Sequence, residues 1–341
     1  MTSFVPRTTA GRLALVVPVG VGLLALAVWR GPDLGVVGNA FGAVEWRWVA
    51  AAVAINFLSI VARAVAWKVV IDEAVPEPHP RRRNVFAAFS IGLLANAALP
   101  GRVGELARVM VLARRMPRFR GSWATLTGTV FAHRLFDVVV AVVLVVIVLY
   151  TARIPLWAKP GLAVAIGIGV GLLIAALVLA RRDPKLGTEG LGRIRRMLRM
   201  ARSGLTVLHR PAPAVAALVF QVLGWVAQLF AVWTTFRAFG IDGSLPMAAL
   251  VLLLMNLVMV FPLWPGNIGL VQAALALSLL PYGVGYAHGL AFGIGLQAIE
   301  ASVGIALGLL FLAREGFSFA MLKRMPEVTG AELDERVERI A

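Results

Sequence analysis

Hydrophobic positions gather in long runs separated by short polar joints, and they do not alternate as they would along strands. A helix needs about 20 apolar residues to cross the hydrocarbon of a bilayer. Six runs meet that length: Leu13–Trp29, Trp48–Val70, Trp123–Tyr150, Gly161–Ala180, Ala212–Phe236 and Tyr286–Ala313. The first follows Arg7 and Arg12 and contains Ala25-Leu26-Ala27, which resembles a signal cleavage site. Its length favours a retained anchor.

Two further apolar regions are interrupted. Val85–Leu99 meets Pro100-Gly101 and resumes as Val103–Ala113; Leu245–Trp264 meets Pro265-Gly266 and resumes as Ile268–Leu280. Proline lacks the backbone donor and glycine tolerates unusual torsions, so each region is expected to be two half-helices joined by a turn. The expected fold is therefore an all-α polytopic membrane protein. It has six full spans and two re-entrant half-helix pairs in an inverted repeat, with cytoplasmic termini.

Charge tests that topology. The chain has 33 Lys+Arg against 17 Asp+Glu, a net +16. With the N-terminus inside and both broken regions re-entering, 24 of the 33 basic residues lie inside and 5 outside. The other four, Arg63, Arg102, Arg108 and Arg134, fall within apolar regions. That asymmetry follows the positive-inside rule, so the excess charge sets orientation and implies no nucleic-acid partner. Arg63 is expected to snorkel toward the inner surface. The first broken region then sits on the cytoplasmic side and the second on the outer side. Leu191–Leu208, in the basic loop 181–211, carries its apolar residues near one helical face. It reads either as an amphipathic helix on the inner leaflet or as a solvated basic loop.

Composition agrees. Hydrophobic residues make up 60% and charged residues 15%, far from the balance of a soluble domain, and mean hydropathy is +0.86. With no cysteine and only four scattered histidines, no metal site and no cofactor are expected. The expected organisation is a transmembrane domain over residues 1–314, with halves at about 13–150 and 161–313, and a short cytoplasmic tail over 315–341. That tail is too short for a catalytic domain.

The two breaks share a pattern. Pro100-Gly101-Arg102-Val103-Gly104 matches Pro265-Gly266-Asn267-Ile268-Gly269, and both occupy corresponding positions in runs expected to enter from opposite sides. Such symmetry marks inverted-repeat transporters. Each break starts a new helix whose N-terminal N–H groups could face an anion, with Arg102 and Arg108 beside the first. The alternative is that the glycines only permit close packing. Ionisable groups at membrane depth are the other candidates. Glu105/Arg108 and Arg134/Asp137 are spaced for pairing on one helix face, as are His133/Asp137, and Glu300 lies mid-span with Gln297 a turn before it. Gln221 and Gln228 share a face. The Gly289/Gly293 and Gly304/Gly308 spacings are read as helix packing.

Asn96-x-x-x-Pro100-x-x-x-Gly104-Glu105-x-x-Arg108, then Arg134-x-x-Asp137, then Pro265-Gly266-x-x-Gly269, resemble the flippase-like membrane family. That family includes the membrane region of lysylphosphatidylglycerol synthase/flippase, the multiple peptide resistance factor. The resemblance runs over roughly 13–313. It implies a lipid-translocating protein of the bacterial plasma membrane, partnered by an anionic phospholipid or a polyprenyl-phosphate-linked lipid. The implied headgroup site comprises Asn96, Pro100, Gly101, Arg102, Gly104, Glu105, Arg108, Arg134, Asp137, Pro265, Gly266, Asn267, Gly269 and Gln272, with His133 and Glu300 as further candidates. Two positions depart: His133 and Gln272 stand where the family often has Glu. The second departure removes a carboxylate that proton coupling could use. The residues include no aminoacyltransferase domain, so lysine transfer to lipid is not expected of them. Two other readings stand beside transport. One is an enzyme acting on lipid-linked phosphate, although the Ser-Arg-Ser run of polyprenyl pyrophosphate phosphatases is replaced by Arg102-Val103-Gly104-Glu105. The other is a scaffold for a glycosyltransferase or lipid-modifying enzyme. The oligomeric state is not legible.

Overall fold

The computed structural model describes residues 33–75, 78–99, 103–116, 122–181, 207, 210–260 and 265–314. Regular structure among the described residues is entirely helical. The helices are α1 (Leu34–Gly42), α2 (Trp46–Ala74), α3 (Arg82–Ala98), α4 (Gly104–Arg114), α5 (Ser122–Thr151), α6 (Ala158–Arg181), α7 (Pro211–Ala238), α8 (Leu245–Val260), α9 (Leu270–Leu279) and α10 (Tyr286–Arg314). Helices α2, α5, α6, α7 and α10 are long and apolar enough to cross a membrane. They coincide with five of the six expected spans; Leu13–Trp29 lies outside the described residues, as does Leu191–Leu208 apart from Val207. Val164, Ile168, Leu172 and Ile174 of α6, and Val215, Val219, Leu223 and Phe230 of α7, are exposed. Long apolar helices that expose such side chains suit contact with lipid tails.

Both breaks are present. After α8 the chain makes a short 3-10 turn, Pro265–Asn267, in which Gly266 has φ 67° and Gly269, capping α9, has φ 93°. Positive φ is open to glycine at little cost, which is why the motif needs glycine at these two places. Pro100, Gly101 and Arg102 lie outside the described residues, but the helices they join form a hairpin. Gly92 approaches Gly104, and Asn84 near the start of α3 meets Arg115 just past the end of α4, so α4 runs back along α3.

Shifting residue numbers by 165 carries α2 onto α7, α3 onto α8, α4 onto α9 and α5 onto α10, each boundary within three residues. The same shift carries Pro100-Gly101 onto Pro265-Gly266. The repeat is thus longer than the five-residue motif, and its first helices run in opposite directions. Glu45 N–H donates to Ala238 O at 3.0 Å, Ser59 Oγ donates to Gly224 O at 2.7 Å, and Arg210 meets Glu73 at 3.4 Å. These contacts align α2 and α7 antiparallel along their lengths. Ser59 and Gly224 are themselves counterparts, so the pseudo-two-fold axis passes beside them.

Each broken pair sits in its own apolar core. One core holds α8 and α9 with Phe236 stacked on Phe292 at 4.5 Å. The other holds α3 and α4 around Trp67, Ile91 and Leu112. Helix α10 joins them through its glycines. Gly289 and Gly293 lie on Ala276 and Gln272 of α9, while Gly304 and Gly308 lie on Leu93 and Leu94 of α3. Both small-residue spacings therefore serve packing.

Candidate functional site

A cavity of about 200 Å³ with many polar lining side chains lies beside the first broken pair. Helix α2 contributes Asn56, Ser59 and Arg63; α3 contributes Phe89, Gly92 and Asn96; α4 contributes Gly104, Glu105 and Arg108. Helix α5 adds His133, Arg134 and Asp137, α7 adds Gln228, and α10 adds Glu300 and Gly304. Small residues open the space and let the helices close around it. A Cβ on Gly104 would fall 2.0 Å from the Gly92 carbonyl oxygen, and one on Gly224 would fall 2.7 Å from Arg63 Cγ.

The charges are arranged by helical spacing and by α4 facing α5. Arg108 and Arg134 both reach Glu105, and Arg134 also binds Asp137 at 3.0 Å. Asp137 further accepts from Trp225 Nε1 at 2.9 Å and from Gln221. The expected pairing of Glu105 with Arg108 and of Arg134 with Asp137 is present. His133 does not join: Asp137 is occupied by the other three groups, and the imidazole packs edge-on to Phe89 at 6.1 Å.

Arg108 is the group to watch. Its guanidinium lies over the Trp67 ring at 4.7 Å and near Phe89 at 5.6 Å. Trp67 is itself pinned by a 3.1 Å hydrogen bond from Nε1 to Thr129 Oγ1. Arg108 is buried, and although Nη2 sits beside Glu105, neither Nε nor Nη2 makes an aligned hydrogen bond. Arg63 Nε and His133 Nδ1 are likewise unpartnered. Buried donors without acceptors are uncommon because each carries an uncompensated desolvation cost.

Three sequence expectations change. Arg63 does not snorkel to the surface: Nη2 donates to Gln228, its guanidinium lies over Trp225 at 5.1 Å, and it lines the cavity. The half-helix N-termini are not bare donors. Gly104 N–H donates to Asn96 Oδ1 at 2.8 Å, and Gly269 N–H to Gln272 Oε1 at 2.6 Å. Asn96 and Gln272 therefore cap their helices.

The second Pro-Gly region also stands apart from the cavity. Neither Gly266, Asn267, Gly269 nor Gln272 lines it, nor does Pro265. Gln272 Nε2 donates to Gln297 Oε1, Gln297 Nε2 donates to Gly266 O, and Asn267 Nδ2 donates to Val258 O at 2.9 Å. These amides form a clasp that ties the turn to α10 and to the end of α8. A carboxylate in place of Gln272 would present only acceptors to Gln297, so the amide suits the clasp.

Asn56 and Ser59 are cavity residues that spacing alone did not single out, and Gln228, noted for sharing a face with Gln221, joins them. Asn56 Nδ2 bonds the Ile299 and Glu300 carbonyls at 3.4 and 3.3 Å. A usable signal existed: Asn56/Gln221 and Arg63/Gln228 are polar at matched positions of the 165-residue repeat.

The model of the lysylphosphatidylglycerol synthase TM region matches residues 11–308. The chain belongs to this family. It is also similar to a UPF0104 membrane protein of Methanothermobacter thermautotrophicus, at 25% identity over 288 residues, covering 77% of this chain and 83% of that one. No solved structure matches. The family resemblance expected from Asn96 through Gly269 is thereby confirmed, and with it a multi-pass membrane protein.

Proposed function

We propose that this protein binds the phosphate-bearing headgroup of an anionic lipid in the cavity and carries it across a bacterial plasma membrane while the tails remain in lipid. One observation carries the reading. The cavity is lined by two buried guanidinium groups, those of Arg108 and Arg63, whose Nε donors find no acceptor among the described residues. A phosphate is the acceptor that geometry suits, since guanidinium pairs with its oxygens in a planar fork. The cavity's formal charges cancel, three arginines against Glu105, Asp137 and Glu300. Unsatisfied donors, more than net charge, therefore select the ligand. The cavity is smaller than the roughly 300–1,000 Å³ typical of whole-ligand pockets, which fits a headgroup alone. The inverted repeat supplies the symmetry on which alternating access is built.

The test is lipid translocation in proteoliposomes with a fluorescent phosphatidylglycerol. Wild type is expected to exceed empty vesicles and R108A to fall to their level. R108K, which keeps the charge and loses the fork, is expected between them. Equal rates for wild type, R108A and empty vesicles would reject the reading. Inorganic phosphate release from a lipid pyrophosphate would replace transport with hydrolysis.

A further inference from the structure

Three carboxylates line the cavity, and they are held in different ways. Glu105 is paired with two guanidinium groups, and Asp137 with one guanidinium, an indole N–H and an amide. Glu300 has no cation within ion-pair distance among the described residues. Its side chain accepts a 3.0 Å hydrogen bond from Gln228 Nε2, and Gln228 Oε1 accepts from Arg63. The amide stands between cation and carboxylate and keeps them from closing into a direct pair.

Arg63 approaches Glu300 from α2, and α7 presents Gln228. The segments of α3 and α9 packed on α10 carry no ionisable residue, and α1 carries none. Across the cavity stand Glu105 and Arg108 of α4 and His133, Arg134 and Asp137 of α5. Glu300 is also the lone acidic residue within helices α7 to α10, and its repeat counterpart is Leu135. The repeat does not require a carboxylate here, and no ion pair among the described residues explains it.

We propose that Glu300 is a proton-exchange site whose charge is coupled to headgroup occupancy of the cavity. This rests on the headgroup reading above. An amide donor serves the neutral and the ionised carboxyl alike, so the proton can come and go without breaking the contact that holds the side chain. A phosphate entering beside Arg108 and Arg63 brings negative charge into the space Glu300 faces. One proton from water, bonded to a Glu300 carboxylate oxygen, cancels the repulsion, and it returns to water when the headgroup leaves. Binding of headgroup and of proton therefore favour each other, and the coupling is reciprocal.

Two measurements test this on the full chain. In the first, infrared difference spectra of purified protein are recorded across a pH step. Wild type is expected to show a carboxylic C=O band that E300Q loses and E300D restores at a shifted frequency. In the second, lipid translocation is followed in phosphatidylethanolamine/phosphatidylglycerol vesicles with one compartment acidified. Wild type and H288Q, altered at a histidine that bonds the Phe239 carbonyl away from the cavity, are expected to change rate several-fold with the gradient, and E300Q to give the same rate with and without it. A carboxylic band unaltered in E300Q, or an equal gradient response in E300Q and wild type, overturns the proposal. So does lipid movement in wild type that ignores the gradient. If wild type moves no lipid while the Glu300 band is present, the transport reading falls and the proton site stands.

Discussion

Replacing Gly104 by alanine probes the link between the first hairpin and the cavity. The new Cβ would lie 2.0 Å from the Gly92 carbonyl oxygen and 2.5 Å from Asn96 Cγ. Carbon needs about 3.5 Å from a neighbouring heavy atom, so α4 must move away from α3. Overpacking of a close interface costs about 1–3 kcal/mol. The displacement also breaks the 2.8 Å cap from Gly104 N–H to Asn96, which contributes about 0.5–1.5 kcal/mol. The expected loss is therefore about 2–4 kcal/mol, or on the order of 5–10 °C in Tm. Because Glu105 and Arg108 ride on α4, translocation should fall further than stability alone explains. Thermal unfolding in detergent, beside the vesicle assay, reads both. Gly167→Ala on α6 is the control, since nothing lies within 4 Å of a Cβ there. Equal melting temperatures and rates for G104A and G167A would refute the packing argument.

Other outcomes follow from individual contacts. D137N should destabilise the bundle by about 1–3 kcal/mol, because the buried Asp137 loses its charge toward the part-exposed Arg134 while an amide oxygen can still accept from Trp225, measured by thermal unfolding. Q272L should cost about 1–3 kcal/mol by stranding the Gly269 N–H and the Gln297 amide, and Q272E should cost less because it still caps Gly269. T129V, which removes the acceptor pinning Trp67 beneath Arg108, should lower stability by about 1 kcal/mol and weaken headgroup binding in a vesicle titration.

The sequence by itself determined the membrane-protein class, five described spans, both broken regions and the family. These are written in local terms: run length, Pro-Gly punctuation and charge on one side of the runs. It also determined the pairs Glu105/Arg108 and Arg134/Asp137, because three-residue spacing within one helix fixes proximity. Only the tertiary structure decided which of these groups meet. Contact between α4 and α5 brings Glu105 to Arg134, and the antiparallel register of α2 on α7 turns Arg63 inward to Gln228. The matching motifs suggested two equivalent ligand turns, yet the structure sets the first broken pair against the cavity and ties the second turn into a clasp. The reason lies in side chains across the interfaces: at repeat positions where the first half has Glu105, Arg108 and Arg134, the second has Leu270, Ala273 and Ile299. A shared backbone break fixes the turn, and its chemistry is set by what the neighbouring helices bring to it.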